Sequence, residues 1–506
     1  MWDLDASPGR ASAVAARDVA VIDVGSNSIR LVIHRVEGRA IWTVFNEKVL
    51  AGLGRGLSTT GRLSPDGVKA GLAALRRFRA VLDGARPAEV FTAATAAVRE
   101  SDDGLEFVAR VEAETGLKLR VLSGAEEARN SAWGVVAGDP TADGVAGDLG
   151  GSSLELIPIV SGQPGVGETL LLGPFSLGAP GPLDAAKVKR EALARLKPVQ
   201  QRFKAKRFYA VGGAWRNIAL MHMAMSDYPL RVVHQYEMSG RDAVEVARLV
   251  ARQSKASLDR IEGVSRKRAE TLPYSALVLE AVIERLKVER ICMSAFGVRE
   301  GLILQSMAPE LRALDPLVEG CAVLGAREGV GDRLGPALEA WLAPGWNALD
   351  PVFAPGRDRV LLAAACRLCD LGARLHPDHR ADLAFDQVLR APIAGQTHAE
   401  RAFLATAIFS RYTAQAPTRP GSNLGRILSH DRLRRARALG AALRLGADLS
   451  GHTPELLAAS RLGIKKGEVV LTTGRASADL LLGEQTHKRL ATLAEALERQ
   501  PRVKIG

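Results

Sequence analysis

The stretch Val21–Ile33, "VIDVGSNSIRLVI", returns further along the chain as Ala146–Ile159, "AGDLGGSSLELIPI". Asp23 aligns with Asp148, Gly25 with Gly150 and Ser28 with Ser153. Each copy is an apolar run, a short turn of glycine and small polar residues, and a second apolar run, the pattern of strand, turn, strand. Each also opens a longer segment of similar order. Three strands are expected at Val19–Val24, Ile29–Val36 and Ile41–Val49. A helix from Ser64 to Leu82 follows, with Ser64 as N-cap and Pro65 at the first helical position. Next come a strand Val90–Ala94, a helix Leu105–Thr115, a strand Leu117–Leu122 and a helix Gly124–Val136. The second segment restarts with strands Gly144–Leu149, Leu154–Val160 and Thr169–Leu172. Helix Asp184–Arg202, strand Arg207–Val211, further helices and strand Arg290–Met293 complete it. This is a domain duplication rather than a short-period repeat. Two such halves face each other across a cleft, where ligands prefer to bind.

The turns suggest what the cleft takes. A glycine- and serine-bearing turn exposes successive backbone N–H groups that hold phosphate oxygens. An acid just before it suits a divalent cation, which phosphate chemistry usually needs. Between the turns lies "RVLSGAEEARNSAWGV", where Glu126 and Glu127 open a helix directly after a strand. One acid there is explained as a dipole partner. Two adjacent acids point to different faces, so one is available to the cleft as a base. Glu155 follows the second turn where the first has Arg30, a departure expected if the halves took different roles.

The bulk composition narrows the class. The 506 residues are 47% hydrophobic and 25% charged, the balance of a soluble globular chain. No apolar run is long enough for a membrane span. The first residues carry acids and lack the apolar core of a secretory signal. They are read as a loose tail ending near Arg17. The four cysteines, Cys292, Cys321, Cys366 and Cys369, are too few for a disulfide scaffold and fit a cytoplasmic protein. Cys366 and Cys369 form a lone C-x-x-C, read as buried thiols. The net charge is +12, and residues 401–440 hold eight arginines against the single acid Asp431. Arg432, Arg434, Arg435 and Arg437 are the core of a candidate polyanion track. Aromatics are only 5% and do not interleave with the basic runs, so no specific nucleic-acid partner is expected.

Six stretches in order, "VIDVGSNSIRLVI", "AATAAVRES", "VLSGAEEARNSAWGV", "GDLGGSSLEL", "AVGGAWRNIALMH" and "SAFGVREGLI", resemble the exopolyphosphatase and guanosine pentaphosphate phosphohydrolase family, in its long form. The resemblance implies an α/β fold class. Duplicated actin-like (ribonuclease H-like) domains would be followed by a mainly α-helical HD-like domain and a small α+β C-terminal unit. The boundaries expected are 1–17 for the tail, 18–136 and 137–309 for the two halves, 310–454 for the helical domain and 455–506 for the last unit. It implies Glu127 as catalytic base, and Asp148 and Glu155 beside Mg2+ (or Mn2+) and the attacking water, with Asp23 a further metal-side acid. Ser26, Asn27, Ser28, Arg99, Gly150, Gly151, Ser152 and Ser153 would line the terminal phosphate. Gly212 and Gly213 match a later glycine turn, and Arg299 an arginine closing the site. Ser152 and Leu154 stand where the family usually has glycine and threonine. In the HD-like region Cys369 precedes Asp370 where a metal-binding histidine would stand, and His376, His379 and His398 do not restore the pair. That domain is read as catalytically silent, useful for its basic surface.

The expected function is a Mg2+-dependent exopolyphosphatase acting on inorganic polyphosphate, with the arginine stretch holding the remaining chain. The resemblance also suggests a homodimer. Removal of a phosphate from guanosine pentaphosphate is the same-family alternative. A non-catalytic sensor of guanosine tetra- or pentaphosphate and an actin-like sugar or acetate kinase are the other classes. Glu127 and Glu155 argue against the sensor, and the lack of a recognisable adenine-pocket motif against the kinase.

Overall fold

The computed structural model describes residues 16–258, 260, 269–327, 333–415 and 424–506. The expected tail therefore lies almost wholly outside the described residues. The chain forms two compact units, residues 1–313 and 314–506.

In the first unit, β1 (Arg17–Val24), β2 (Ile29–Glu37) and β3 (Ala40–Val49) form an antiparallel meander, and β4 (Glu89–Ala94) adds to β1 in parallel. The order is β3-β2-β1-β4. The second sheet begins the same way. β5 (Gly144–Leu149) and β6 (Leu154–Val160) are antiparallel, with the short β7 (Gln163–Pro164) and β8 (Glu168–Leu170) against β6. β9 (Arg207–Val211) joins β5 in parallel, as β4 joins β1. β10 (Glu237–Ser239) and β11 (Arg290–Met293) extend the far edge. The duplication read from the two turns is thus a duplication of sheets. β10, three residues long, was not legible in the sequence.

Two expected elements differ. Leu117–Leu122 is not a strand; it touches β4 through a single bridge, Ala94 to Val121. The Thr92 hydroxyl donates to the Lys118 carbonyl (2.5 Å) and accepts from the Arg120 amide (3.3 Å), taking the place of ladder partners. The helix expected over Asp184–Arg202 runs Ala185–Leu196 and tightens to a 3-10 turn at Lys197–Val199, where Pro198 cannot supply a helical N–H.

Two helices, Gly124–Gly138 and Val298–Ser306, pack together and share one apolar cluster with both sheets: Val19, Val21 and Val36 from the first, Ala146, Ile157, Tyr209 and Val211 from the second. They approach through glycine. A Cβ on Gly134 would lie 2.0 Å from the Gly297 carbonyl oxygen, and one on Gly301 1.8 Å from that of Asn130. No side chain fits between backbones at that distance. This contact fixes where the first turn of each helix, carrying Glu127 and Arg299, is held.

The second unit is mainly helical, with long helices at Leu334–Trp346, His398–Tyr412 and His430–Ser450. A three-stranded sheet closes it: β12 (Ser460–Lys465), β13 (Glu468–Thr473) and β14 (Gln500–Ile505), in that order. The Trp341 indole N–H donates to Ser460 Oγ (3.1 Å), tying helix to sheet. All four cysteines are free and buried. Asp370, also buried, accepts from Arg411 (3.4 Å) and faces His452 Nδ1 at 2.7 Å. Among the described residues no helix is long and apolar enough to cross a membrane.

Candidate active site

The two repeated turns close in the same way. The Gly25 amide donates to the Ser28 carbonyl (3.0 Å), and the Gly150 amide to the Ser153 carbonyl (2.9 Å). Each turn is also stitched from behind. Gly54 and Gly52 donate to the carbonyls of Ser26 and Asn27, and Phe175 and Gly173 to those of Gly151 and Ser152. The carbonyls of Ser26, Asn27, Ser28, Gly151, Ser152 and Ser153 are thus consumed, while the amides of these six residues donate to no backbone carbonyl among the described residues. The turns approach closely: a Cβ on Gly151 would sit 3.0 Å from Ser26 Cβ.

They border a cleft of about 500 Å³. It is lined by Asp23, Ser26, Asn27, Ser28, Glu127, Asp148, Gly150, Gly151, Ser153, Glu155, Gly212, Gly213 and Arg299. Residues far apart in sequence therefore meet in one place. Helix N-termini converge on it: Glu127 lies in the first turn of Gly124–Gly138, Gly212 caps helix Gly213–Met225, and Gly297 caps Val298–Ser306. Their amides and dipoles favour an anion. Gly212 has φ 116°, and a Cβ there would meet the Leu149 carbonyl at 2.7 Å, so only glycine turns the chain into that helix beside the second loop.

The two adjacent glutamates do different work. Glu126 completes a capping box, accepting from the Ser123 amide and hydroxyl, both at 2.9 Å, and pairing with Arg120. The Ser123 hydrogen bonds hold its carboxyl below the usual range. Glu127, 8% exposed, turns into the cleft, and its Oε2 accepts from Arg99 Nη1 (2.9 Å). Burial pushes Glu127 up to about 7 against the pull of Arg99, with Asp148 and Asp23 adding to the rise. Asp148 is raised to about 6, chiefly by burial, although Ser131 Oγ donates to its Oδ2 (2.6 Å). Glu155, 1% exposed, is raised by burial and by the charges of Glu127 and Asp148, and its Oε1 has no hydrogen-bond partner among the described residues. Asp23 Oδ2 accepts from Arg299 Nη1 (2.8 Å).

Some expected site residues lie elsewhere. Arg99 is not part of the cleft lining; it stands behind Glu127, also holding the Leu122 carbonyl (2.8 Å). Ser152 is buried, and a Cβ on Gly54 would lie 3.3 Å from its Oγ. The serine in place of the family's usual glycine therefore packs between the turns and their stitching rather than lining the cleft.

Most arginines of the expected track are engaged with the protein itself. Arg432 donates to the Val352 carbonyl (2.9 Å) and lies 4.2 Å over the Phe353 ring. Arg435 donates to the Asp350 carbonyl (2.9 Å) beside Trp346. Arg434 pairs with Glu498 at 2.7 Å. Arg401 is interior, donating to the Ala391 carbonyl (2.5 Å) at the end of helix Arg380–Arg390, and Arg411 is buried on Asp370. Arg419 lies outside the described residues. Of the four proposed track residues, Arg437 alone is exposed without an ion pair or hydrogen bond among the described residues. Arginine forks satisfy carbonyls and stack on rings, so the run is largely structural.

The cleft also holds residues that the sequence did not single out, among them Lys48, Thr95, Phe175, Arg216 and Asn217. Ser131, which holds Asp148, was legible: it lies four residues after Glu127 and so on the same helix face. Lys48 was not legible, because a register shift between Ile33 and His34 decides that it stands across from Arg30.

A family model described as the Ppx/GppA phosphatase family matches residues 32–310, and one described as exopolyphosphatase, C-terminal, matches residues 356–502. The chain belongs to the Ppx/GppA phosphatase family and is a hydrolase acting on phosphoanhydride bonds. Its fold is shared with solved structures of low identity. An exopolyphosphatase from Cytophaga hutchinsonii is 22% identical with TM-score 0.53, covering 57% of this chain and 96% of its own. An exopolyphosphatase-like protein is 23% identical with TM-score 0.51, covering 57% and 97%. The Aquifex aeolicus family member is 22% identical with TM-score 0.50, also covering 57% and 97%.

Proposed function

We propose that the protein is an exopolyphosphatase that removes the terminal phosphate of inorganic polyphosphate, with residues 18–136 and 137–309 as the halves that grip it. The observation that carries this is the carboxylate Glu127, poised near neutrality in a cleft walled by two amide-bearing turns. The match of residues 356–502 to the exopolyphosphatase C-terminal family favours polyphosphate over guanosine pentaphosphate.

Glu127 takes the proton of a water. The water oxygen bonds to the terminal phosphorus in line as the bridging P–O bond breaks, and the shortened chain leaves. The turn amides and helix N-termini stabilise charge on the transferred phosphoryl oxygens. Arg99 holds the Glu127 carboxylate in place. Among the described residues no three His, Cys, Asp or Glu side chains gather closely enough to hold a metal alone. The partnerless Glu155 oxygen and its cross-strand neighbour Asp148 nonetheless fit Mg2+ or Mn2+, which keep water and phosphate oxygens in their shell and need only one or two carboxylates. When bound, such an ion would neutralise phosphate charge at these two residues. Asp23 is already paired with Arg299 and would lie outside this pair.

The test is phosphate release from long polyphosphate and from guanosine pentaphosphate, side by side at one salt concentration and with added Mg2+. Turnover of polyphosphate is expected to dominate. Faster release from the nucleotide, or none from polyphosphate, overturns the proposal.

A further inference from the structure

Gly463 stands inside β12 with room above it. A Cβ there would meet nothing nearer than the Val470 carbonyl oxygen, 3.8 Å away. Glycine inside a strand weakens it and often marks where a ligand or another backbone comes close. No backbone of this chain uses the room. Strand alternation and register put Arg461, Gly463 and Lys465 of β12, Val470 and Thr472 of β13 and Lys504 of β14 on one face. These six residues line a cavity of about 570 Å³, within the range of roughly 300–1,000 Å³ common for small-molecule sites. Helix Leu334–Trp346 adds Ala337, Ala340, Trp341 and Pro344, whose spacing of three and four residues makes one apolar stripe. The whole cavity lies in the second unit.

The lining carries charge of one sign. Arg461, Lys465 and Lys504 are exposed, without an ion pair or side-chain hydrogen bond among the described residues, and no acid lines the cavity. Glu468, across from Lys465, is held by Arg502 at 3.1 Å. Arg461 and Lys504 flank Thr472 in one cross-strand row, about 10 Å apart by two strand spacings. The uncharged polar groups are few. The lining has no amide or imidazole side chain, and the Ser460 hydroxyl is already engaged, accepting from Trp341 (3.1 Å) and donating to the Leu457 carbonyl (3.0 Å). A nucleobase or sugar would bury polar edges there without partners. A hydrocarbon chain has none to satisfy. We propose that the second unit binds a single-chain amphiphile with an anionic head. Its carboxylate or phosphate sits at Arg461, Thr472 and Lys504, and its chain runs over Gly463 and Val470 against Ala340 and Pro344.

The test is calorimetric titration of the full chain with dodecyl phosphate and with dodecanoate, each kept below its micelle concentration. Saturable binding of a single molecule per chain is expected, and the tighter of the two names the head group. Gly463→Leu fills the room above β12 and should weaken binding by about tenfold or more, while the ligand-free melting temperature equals or exceeds that of the parent, because a strand glycine has been replaced. Arg461→Gln with Lys504→Gln, both at exposed positions, should weaken binding by about tenfold or more through the lost charged contacts. Dodecyltrimethylammonium, with the same chain and the opposite charge, should not bind. Absence of saturable binding, equal binding of the cationic amphiphile, or affinity unchanged in both variants overturns the proposal. So does binding to anionic vesicles without binding of the monomer, which would mark a membrane-facing surface. A change of oligomeric state in Gly463→Leu, read by sedimentation, with amphiphile affinity unchanged would give the face to a second copy of the chain and overturn it too. Turnover plays no part in these measurements, so the phosphatase reading stands or falls separately.

Discussion

Arg99→Met separates two roles that the sequence left merged. The family resemblance puts Arg99 on the terminal phosphate, whereas the structure pairs its Nη1 with Glu127 at 2.9 Å behind the cleft. Glu127 is at about 7 with Arg99 pulling it down. Removing a guanidinium at that distance raises a carboxyl by about 1–3 units, each worth about 1.4 kcal/mol. A base works only when ionised. At pH 7 its ionised share would fall from about one half to between about a tenth and a thousandth, lowering kcat by about fivefold to several hundredfold. Because only the protonation equilibrium has moved, the rate should recover as pH rises, and the acid limb of the kcat profile should shift to higher pH by the same number of units. The assay is steady-state phosphate release from polyphosphate from pH 5.5 to 10 at saturating substrate. A uniform fall at every pH with an unmoved acid limb and a raised KM would refute the argument and return Arg99 to the phosphate.

Glu127→Gln should reduce kcat by roughly a hundredfold or more while polyphosphate still binds. Glu126→Gln should cost only about 1 kcal/mol of stability through its capping box, so the reverse pattern in paired kinetics and melts would show the wrong carboxylate was chosen. Asp148→Asn and Glu155→Gln should lose activity that higher Mg2+ partly restores, and activity persisting in excess chelator would sink the metal assignment. Gly134→Ala, whose Cβ would lie 2.0 Å from the Gly297 carbonyl, should destabilise the protein by about 1–3 kcal/mol or more and lower kcat, read by denaturant melts and kinetics. Arg435→Glu should lower the melting temperature, because Arg435 holds the Asp350 carbonyl, whereas Arg437→Glu should leave it unchanged.

The sequence by itself determined the duplication, the two turns and the acids beside them. These are local signals: a turn needs glycine and small polar residues wherever it lies, and strand alternation is visible in a single chain. It also carried the six stretches that resemble the family, and so the candidate set around Glu127, Asp148 and Glu155. Which of two adjacent glutamates faces the cleft was decided by the capping box of Glu126, set by where the helix begins in space. The place of Arg99 depended on its bonds to the Leu122 carbonyl and the Glu127 carboxylate, contacts distant in sequence that leave no periodic trace. The contacts of the arginine run were hidden for the same reason. Composition counts charges, but whether a guanidinium meets solvent or a carbonyl such as that of Val352 or Asp350 is settled only when distant segments pack. The cross-strand sets Asp23, Arg30 and Lys48 on the first sheet and Asp148, Glu155 and Thr169 on the second lie between these cases. The residues were visible in the sequence, while the third member of each set needed strand register, which tertiary structure alone supplies.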